Sequence, residues 1–124
     1  LKKLPMVSII DDDESVRSAT ASLLRSLGYN VRTFSEARSF LDHPERDNTT
    51  CIITDIQMPS MTGLELQQVL LAEHSQIPMI FVTGFPNEQS EKVVRRNGAK
   101  GFFAKPFQAQ ELIDCLEDIL SRSD

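Results

Sequence analysis

Five short apolar runs recur along the chain: Met6 to Ile10 (MVSII), Val31 to Phe34 (VRTF), Cys51 to Thr54 (CIIT), Met79 to Val82 (MIFV) and Gly101 to Ala104 (GFFA). Each has the length of a strand. Most are nearly continuous in apolar character, as expected of strands covered on both faces. The second run alternates polar and apolar residues, which predicts an exposed edge. Between the runs, apolar residues return at helical spacing. Asp12 or Asp13 can cap a first helix carrying Val16, Ala19, Leu23, Leu24 and Leu27, which Gly28 then stops in the left-handed region. Ser35 can cap a short second helix with Ala37, Phe40 and Leu41 on its apolar face. Thr62 can cap a third with Leu64, Leu66, Val69, Leu70 and Leu71. A polar fourth helix is predicted over Asn87 to Arg96, ending at Asn97-Gly98. A fifth, from about Gln108 to Leu120, offers Leu112, Ile113, Leu116, Ile119 and Leu120.

Strands alternating with helices require right-handed crossovers and a parallel sheet. Five units are too few to close an eight-stranded barrel. The expected fold is therefore α/β: a (βα)5 doubly wound, five-stranded parallel sheet in the order 2-1-3-4-5. A length of 124 residues suits one domain, with 40% hydrophobic residues to build its core and 25% charged. No apolar run approaches the ~20 residues of a membrane-spanning helix, and no signal-peptide pattern opens the chain. Leu1 stands where an initiating Met would, so an upstream segment is expected. The net charge of −5 argues against this domain gripping DNA or an anionic membrane itself. Two cysteines, Cys51 and Cys115, are too few for a disulfide framework; buried reduced thiols and a cytoplasmic setting are expected.

Ligands of open parallel sheets bind beyond the C-terminal ends of the strands. Asp11, Asp12 and Asp13 follow the first run, Asp55 the third, Thr83 and Gly84 the fourth, and Lys105 and Pro106 the fifth. The proposed order makes those four strands neighbours, so the side chains should converge. Clustered carboxylates repel one another and raise their own pKa values. A divalent cation removes the conflict, and all-oxygen ligands favour Mg2+, with Mn2+ next. His43 and His74 lie in polar stretches and are expected at the surface, which disfavours zinc. An ammonium and a hydroxyl beside such a centre match the needs of a transferred phosphoryl group. Asp55 is then the candidate nucleophile, because aspartate forms acyl phosphates.

These residues carry a family resemblance. The segments IIDDDESVR (9–17), TDIQMPSMTG (54–63), VTG (82–84) and GFFAKPF (101–107) resemble the receiver domain of two-component response regulators, over essentially the whole of 1–124. The resemblance implies the flavodoxin-like receiver fold and a phosphorylation switch with Asp55 as phosphoacceptor. It implies Mg2+ held by Asp12 directly, by Asp11 largely through water, by Asp55 and by the backbone carbonyl of Gln57. Thr83 would be the switch hydroxyl, Lys105 the partner amine and Phe102 the switch aromatic, where relatives often carry Tyr. The Lys105–Pro106 peptide would be cis. Asp13 has no metal role and reads as a cap; Met58 and Pro59 shape a loop; Gly63 lets a helix start close to the site. The side chains of Gln57 and Phe85 would govern water access to the acyl phosphate.

The implied partner is a sensor histidine kinase. The implied output face is the fourth helix, fifth strand and fifth helix, controlling homodimerisation or a downstream domain. Details such as VTG and GFFAKPF look like receivers of the FixJ type, so a helix-turn-helix DNA-binding effector is expected beyond residue 124, with SRSD (121–124) as a frayed helix end or the start of a linker. DNA would be read only through that domain. The chain is expected to be a switch assisting its own phosphotransfer and dephosphorylation, rather than an enzyme on other substrates. Rival readings are a stand-alone receiver acting on a partner protein, a docking-only pseudo-receiver, an Asp-nucleophile phosphatase and a flavodoxin-like cofactor binder. The phosphatase would want a carboxylate where Gln57 stands. The cofactor binder would want a Ser/Thr/Gly-rich loop where Asp11 to Asp13 stand.

Overall fold

The computed structural model describes residues 5–121; Leu1 and positions 122–124 of the predicted frayed end lie outside the described residues. Five strands, β1 (Met6–Ile10), β2 (Asn30–Phe34), β3 (Cys51–Asp55), β4 (Met79–Thr83) and β5 (Gly101–Ala104), form one parallel sheet. Its order is β2-β1-β3-β4-β5, as the alternation of elements predicts. Among the described residues five helices connect and flank the strands: α1 (Glu14–Ser26), α2 (Ala37–Leu41), α3 (Gly63–Ala72), α4 (Glu88–Arg96) and α5 (Ala109–Ser121), with a 3-10 turn at Arg46–Asn48.

Alternation along the strands divides the core in two. Ile10, Ile52 and Phe81 point to the face covered by α2, α3 and α4, where Phe40, Leu66, Leu70 and Val94 meet them. Val7, Ile9, Cys51, Ile53, Ile80 and Val82 point to the opposite face, under Ala21 and Leu24 of α1 and Leu112, Leu116 and Ile119 of α5. β3 and β4 are buried along their whole length, which explains their unbroken apolar runs. β2 is the exposed edge its alternation predicts.

Local chemistry sets most boundaries. Asp13 caps α1, its carboxylate accepting from the Ser15 and Val16 amides. Gly28 follows the helix with φ of 95°. Thr62 and Glu65 close a capping box at α3, and Asn87 caps α4 through the Ser90 amide. Several expectations need correction. Ser35 does not cap α2: Glu36 holds that position, with no side-chain bond to the helix. The buried face of α1 is Thr20, Ala21 and Leu24, while Ala19 is exposed and Leu27 is 49% exposed. Thr20 is tolerated there because its hydroxyl donates to the Val16 carbonyl at 2.8 Å. Leu71 of α3 is exposed, and Gln67 is buried in its place. Its amide donates to the Val94 carbonyl at 3.0 Å and ties α3 to the end of α4. His43 is partly buried, edge-on to Phe34, whereas His74 is exposed with φ of 59°. Cys51 is buried and Cys115 half-buried, both free. Burial pushes the Cys51 thiol far up; burial and Asp118 raise that of Cys115.

Candidate functional site

The sheet ends four neighbouring strands at one rim, and the polar residues of the sequence stand there. Asp55 and Thr83 prove to be the last residues of β3 and β4, each one position further than the apolar runs indicate. They stay in the ladder because pairing is a backbone property: Asp55 is opposite Val82, and Thr83 opposite Ala104. Asp11 and Asp12 follow β1, and Lys105 directly follows β5 and is joined to Pro106 by a cis peptide.

Lys105 Nζ lies 2.8 Å from Asp11 Oδ2 and 3.1 Å from Asp55 Oδ2. The second oxygen of each acid is held by the loops: Asp11 Oδ1 accepts from the Asp13 amide at 2.9 Å, and Asp55 Oδ1 from the Gln57 amide at 3.2 Å. Asp11 is 2% exposed, whereas Asp12 is exposed. Burial raises the Asp55 carboxyl above its ordinary range, against the opposing pull of Lys105. Burial also works against the Lys105 ammonium, but its bonds and attraction to Asp11 and Asp55 outweigh this and leave its pKa raised. Thr83 is buried beside them, its hydroxyl oxygen accepting from the Phe85 amide at 3.0 Å. The rim opens to solvent as a cleft lined by Asp12, Asp13, Asp55, Gln57, Gly84, Phe85 and Lys105.

The donor set fits a hard divalent cation. Asp11, Asp12 and Asp55 each offer a carboxylate oxygen within 4.8 Å of the others. Lys105 is the only cation paired with them among the described residues, so the cluster keeps net negative charge. The ligands are oxygens, and neither histidine approaches the cluster, which suits Mg2+ over zinc. The Gln57 backbone adjoins Asp55 and could add its carbonyl; its side chain is exposed.

The loops are built for closeness. Gly63 starts α3 where a Cβ would collide with the Asp55 carbonyl and crowd Ile56 Cα, so only glycine fits. Its amide donates to the Ile56 carbonyl at 2.7 Å. Met58 is buried against the core, and so shapes the loop rather than meeting solvent. Phe85 is 69% exposed at the mouth of the cleft. Phe102 is half-buried, packed beside the core under α2, α3 and α4, and paired in register with Phe81. One residue at the site escaped the sequence reading: Arg17 of α1 donates from Nη1 to the Asp11 carbonyl at 2.7 Å. The available signal was a cation close to a helix N-terminus, where the helix dipole disfavours it.

Comparison with known proteins agrees with this geometry. Residues 7–117 match the response regulator receiver domain family. Response regulator protein TodT of Pseudomonas putida is 38% identical over 115 residues, covering 93% of this chain and 51% of TodT. Transcriptional regulatory protein FixJ of Bradyrhizobium diazoefficiens is 30% identical over 118 residues, 95% of this chain and 58% of that protein. Among solved structures, response regulator StyR superposes with a TM-score of 0.82 at 40% identity, over 96% of this chain and 60% of StyR. FixJ-N superposes with a TM-score of 0.83 at 30% identity, over 95% of this chain and 94% of that one. The chain spans about half the length of the curated relatives it matches. The fold and the rim of acids, hydroxyl and amine thus bear out the resemblance in the sequence: the chain belongs to the response regulator receiver domains.

Proposed function

We propose that this domain is a phosphorylation-dependent switch that takes a phosphoryl group from a sensor histidine kinase onto Asp55. The observation that carries this reading is the setting of the Asp55 carboxylate, 3.1 Å from Lys105 Nζ, grouped with Asp11 and Asp12, and facing an open cleft. An Asp55 oxygen attacks phosphorus as the N–P bond of the donor phosphohistidine breaks; the electron pair stays on that ring nitrogen, and the imidazole leaves neutral because its other nitrogen already carries a proton. Asp11, Asp12, Asp55 and the Gln57 carbonyl would hold Mg2+. When bound, the ion offsets the negative charge that gathers on the phosphoryl oxygens. Lys105 supplies a second positive group and can turn from Asp55 to a phosphoryl oxygen. Dephosphorylation is the attack of water on phosphorus with release of inorganic phosphate and the free carboxylate. The exposed Gln57 and Phe85 side chains border its path.

The switch then works by differential contacts. Thr83 gives up its bond from the Phe85 amide and donates its hydroxyl to the phosphoryl group. This draws the loop before α4 towards the rim, and Phe102 turns into the space vacated. α4 suits such movement, since Val94 is its only buried residue. The face of α4, β5 and α5 is the output, controlling homodimerisation or a further domain. The roughly doubled length of TodT and FixJ, the second named a transcriptional regulatory protein, supports a DNA-binding effector beyond residue 124. Among the described residues no helix is long and apolar enough to cross a membrane, and the free thiols suit a cytoplasmic setting.

Acetyl phosphate with Mg2+ should add one phosphoryl group, seen as a single mass increment, and Asp55→Asn should abolish it. Undiminished labelling of that variant would move the nucleophile elsewhere.

A further inference from the structure

We propose that Arg17 is a positioning residue for the cation site, fixing the peptide unit that leads from Asp11 into Asp12 and thereby aiming the Asp12 carboxylate. The proposal rests on the reading of Asp12 as a Mg2+ ligand. Each polar group of Asp11 is engaged. Its amide donates to the Phe34 carbonyl at 3.0 Å, its Oδ1 accepts from the Asp13 amide at 2.9 Å, and its Oδ2 meets Lys105 at 2.8 Å. Its carbonyl oxygen accepts from Arg17 Nη1 at 2.7 Å. The first three partners belong to the sheet, the loop and the opposite strand end. The fourth is a side chain reaching back from α1.

That bond fixes more than Asp11. A peptide unit is planar, so the direction of the Asp11 carbonyl also fixes the Asp12 amide and the position of the Asp12 Cα. Asp12 is exposed and has no side-chain hydrogen bond or ion pair among the described residues. The backbone therefore sets where its side chain leaves the loop, and from there its carboxylate falls within 4.8 Å of those of Asp11 and Asp55.

Arg17 suits neither its helix nor the cation by charge alone. α1 begins at Glu14, so the guanidinium lies near the helix N-terminus, where aligned peptide dipoles disfavour positive charge. Side chains of a helix lean towards that end, which gives Arg17 its reach to the loop. Its charge also opposes a second cation at the neighbouring carboxylates. Removing Arg17 therefore has two effects of opposite sign on Mg2+ affinity: lost repulsion tightens binding, and lost positioning weakens it.

Mg2+ titration of the wild-type chain, Arg17→Met and Arg17→Lys, followed by calorimetry in low and high KCl, separates them. We expect Arg17→Met to weaken Mg2+ binding about tenfold, the usual scale for an outer partner of a metal ligand. The loss should persist in high salt, which screens charge but not geometry. Arg17→Lys, keeping a donor and the charge, should recover part of it. Amide exchange at residues 12–14 should quicken in Arg17→Met while the sheet is unchanged. Equal or tighter binding by Arg17→Met would overturn the proposal, as would a loss without faster exchange there. Arg17→Gln carries the same comparison should Arg17→Met unfold. Failure of the wild type to bind Mg2+ would instead refute the ligand role of Asp12.

Discussion

Replacing Lys105 by methionine tests the electrostatics of the rim most directly. The ammonium is the only partner that compensates both Asp11 and Asp55 among the described residues. Methionine keeps an unbranched side chain, one atom shorter, and removes the charge. Taking one partner from a fully buried ion pair costs about 3–5 kcal/mol. Here Lys105 and Asp55 also line a cleft open to water, which lowers the expected cost to about 2 kcal/mol. For a domain of this size that is a fall in Tm of roughly 6–10 °C. The loss should depend on pH. Burial already holds the Asp55 pKa above its ordinary value, and Lys105 is the chief force pulling it down. Without Lys105 the folded-state value rises further. A carboxyl raised on folding binds its proton more tightly in the native state. It therefore does no harm below its unfolded pKa and destabilises progressively as pH rises through the folded value. Lys105→Met should thus be close to the wild type near pH 4 and fall behind it towards neutrality, measured by thermal melts in EDTA. Added Mg2+ should restore more stability to the variant than to the wild type, since it replaces the missing cation. A deficit that is independent of pH, or that grows towards acid, would refute this electrostatic account of Lys105.

Two further outcomes follow from packing. Gly63→Ala should destabilise by about 1–3 kcal/mol in urea denaturation, because the clash with the Asp55 carbonyl outweighs the better helix propensity of alanine; a neutral or stabilising result would show that the loop yields freely. In the native state Cys115 should react with a thiol reagent well before Cys51, which is buried with its pKa raised furthest. Equal rates would mean that the strand carrying Cys51 opens readily.

The site residues were legible as the polar groups at the strand ends; several strand limits, buried positions and caps were not, for identifiable reasons. Hydropathy ends the third and fourth runs at Thr54 and Val82, because Asp55 and Thr83 are polar. The ladder continues through them, since hydrogen bonding does not depend on side-chain polarity. Thr20 and Gln67 carry no apolar signal, and are buried because each finds a carbonyl partner, Val16 for one and Val94 for the other. Conversely, Leu27, the C-cap of α1, and Leu71, in the last turn of α3, fit a helical stripe by spacing yet are exposed. Ser35 has the chemistry of a cap, but the chain enters α2 one residue later.

By itself the order of residues determined the element sequence, the parallel sheet and the types of group at each strand end. Those properties follow from local periodicity, turn chemistry and the handedness of crossovers, all readable over a few neighbouring positions. Only the tertiary structure decided that Lys105 bridges Asp11 and Asp55, that Gly63 is pressed against the Asp55 carbonyl, and that Arg17 reaches the loop ahead of its own helix. Such contacts depend on where the loops and helix starts settle against the strand ends. Their distances are set by how whole layers settle on one another, which no local pattern encodes.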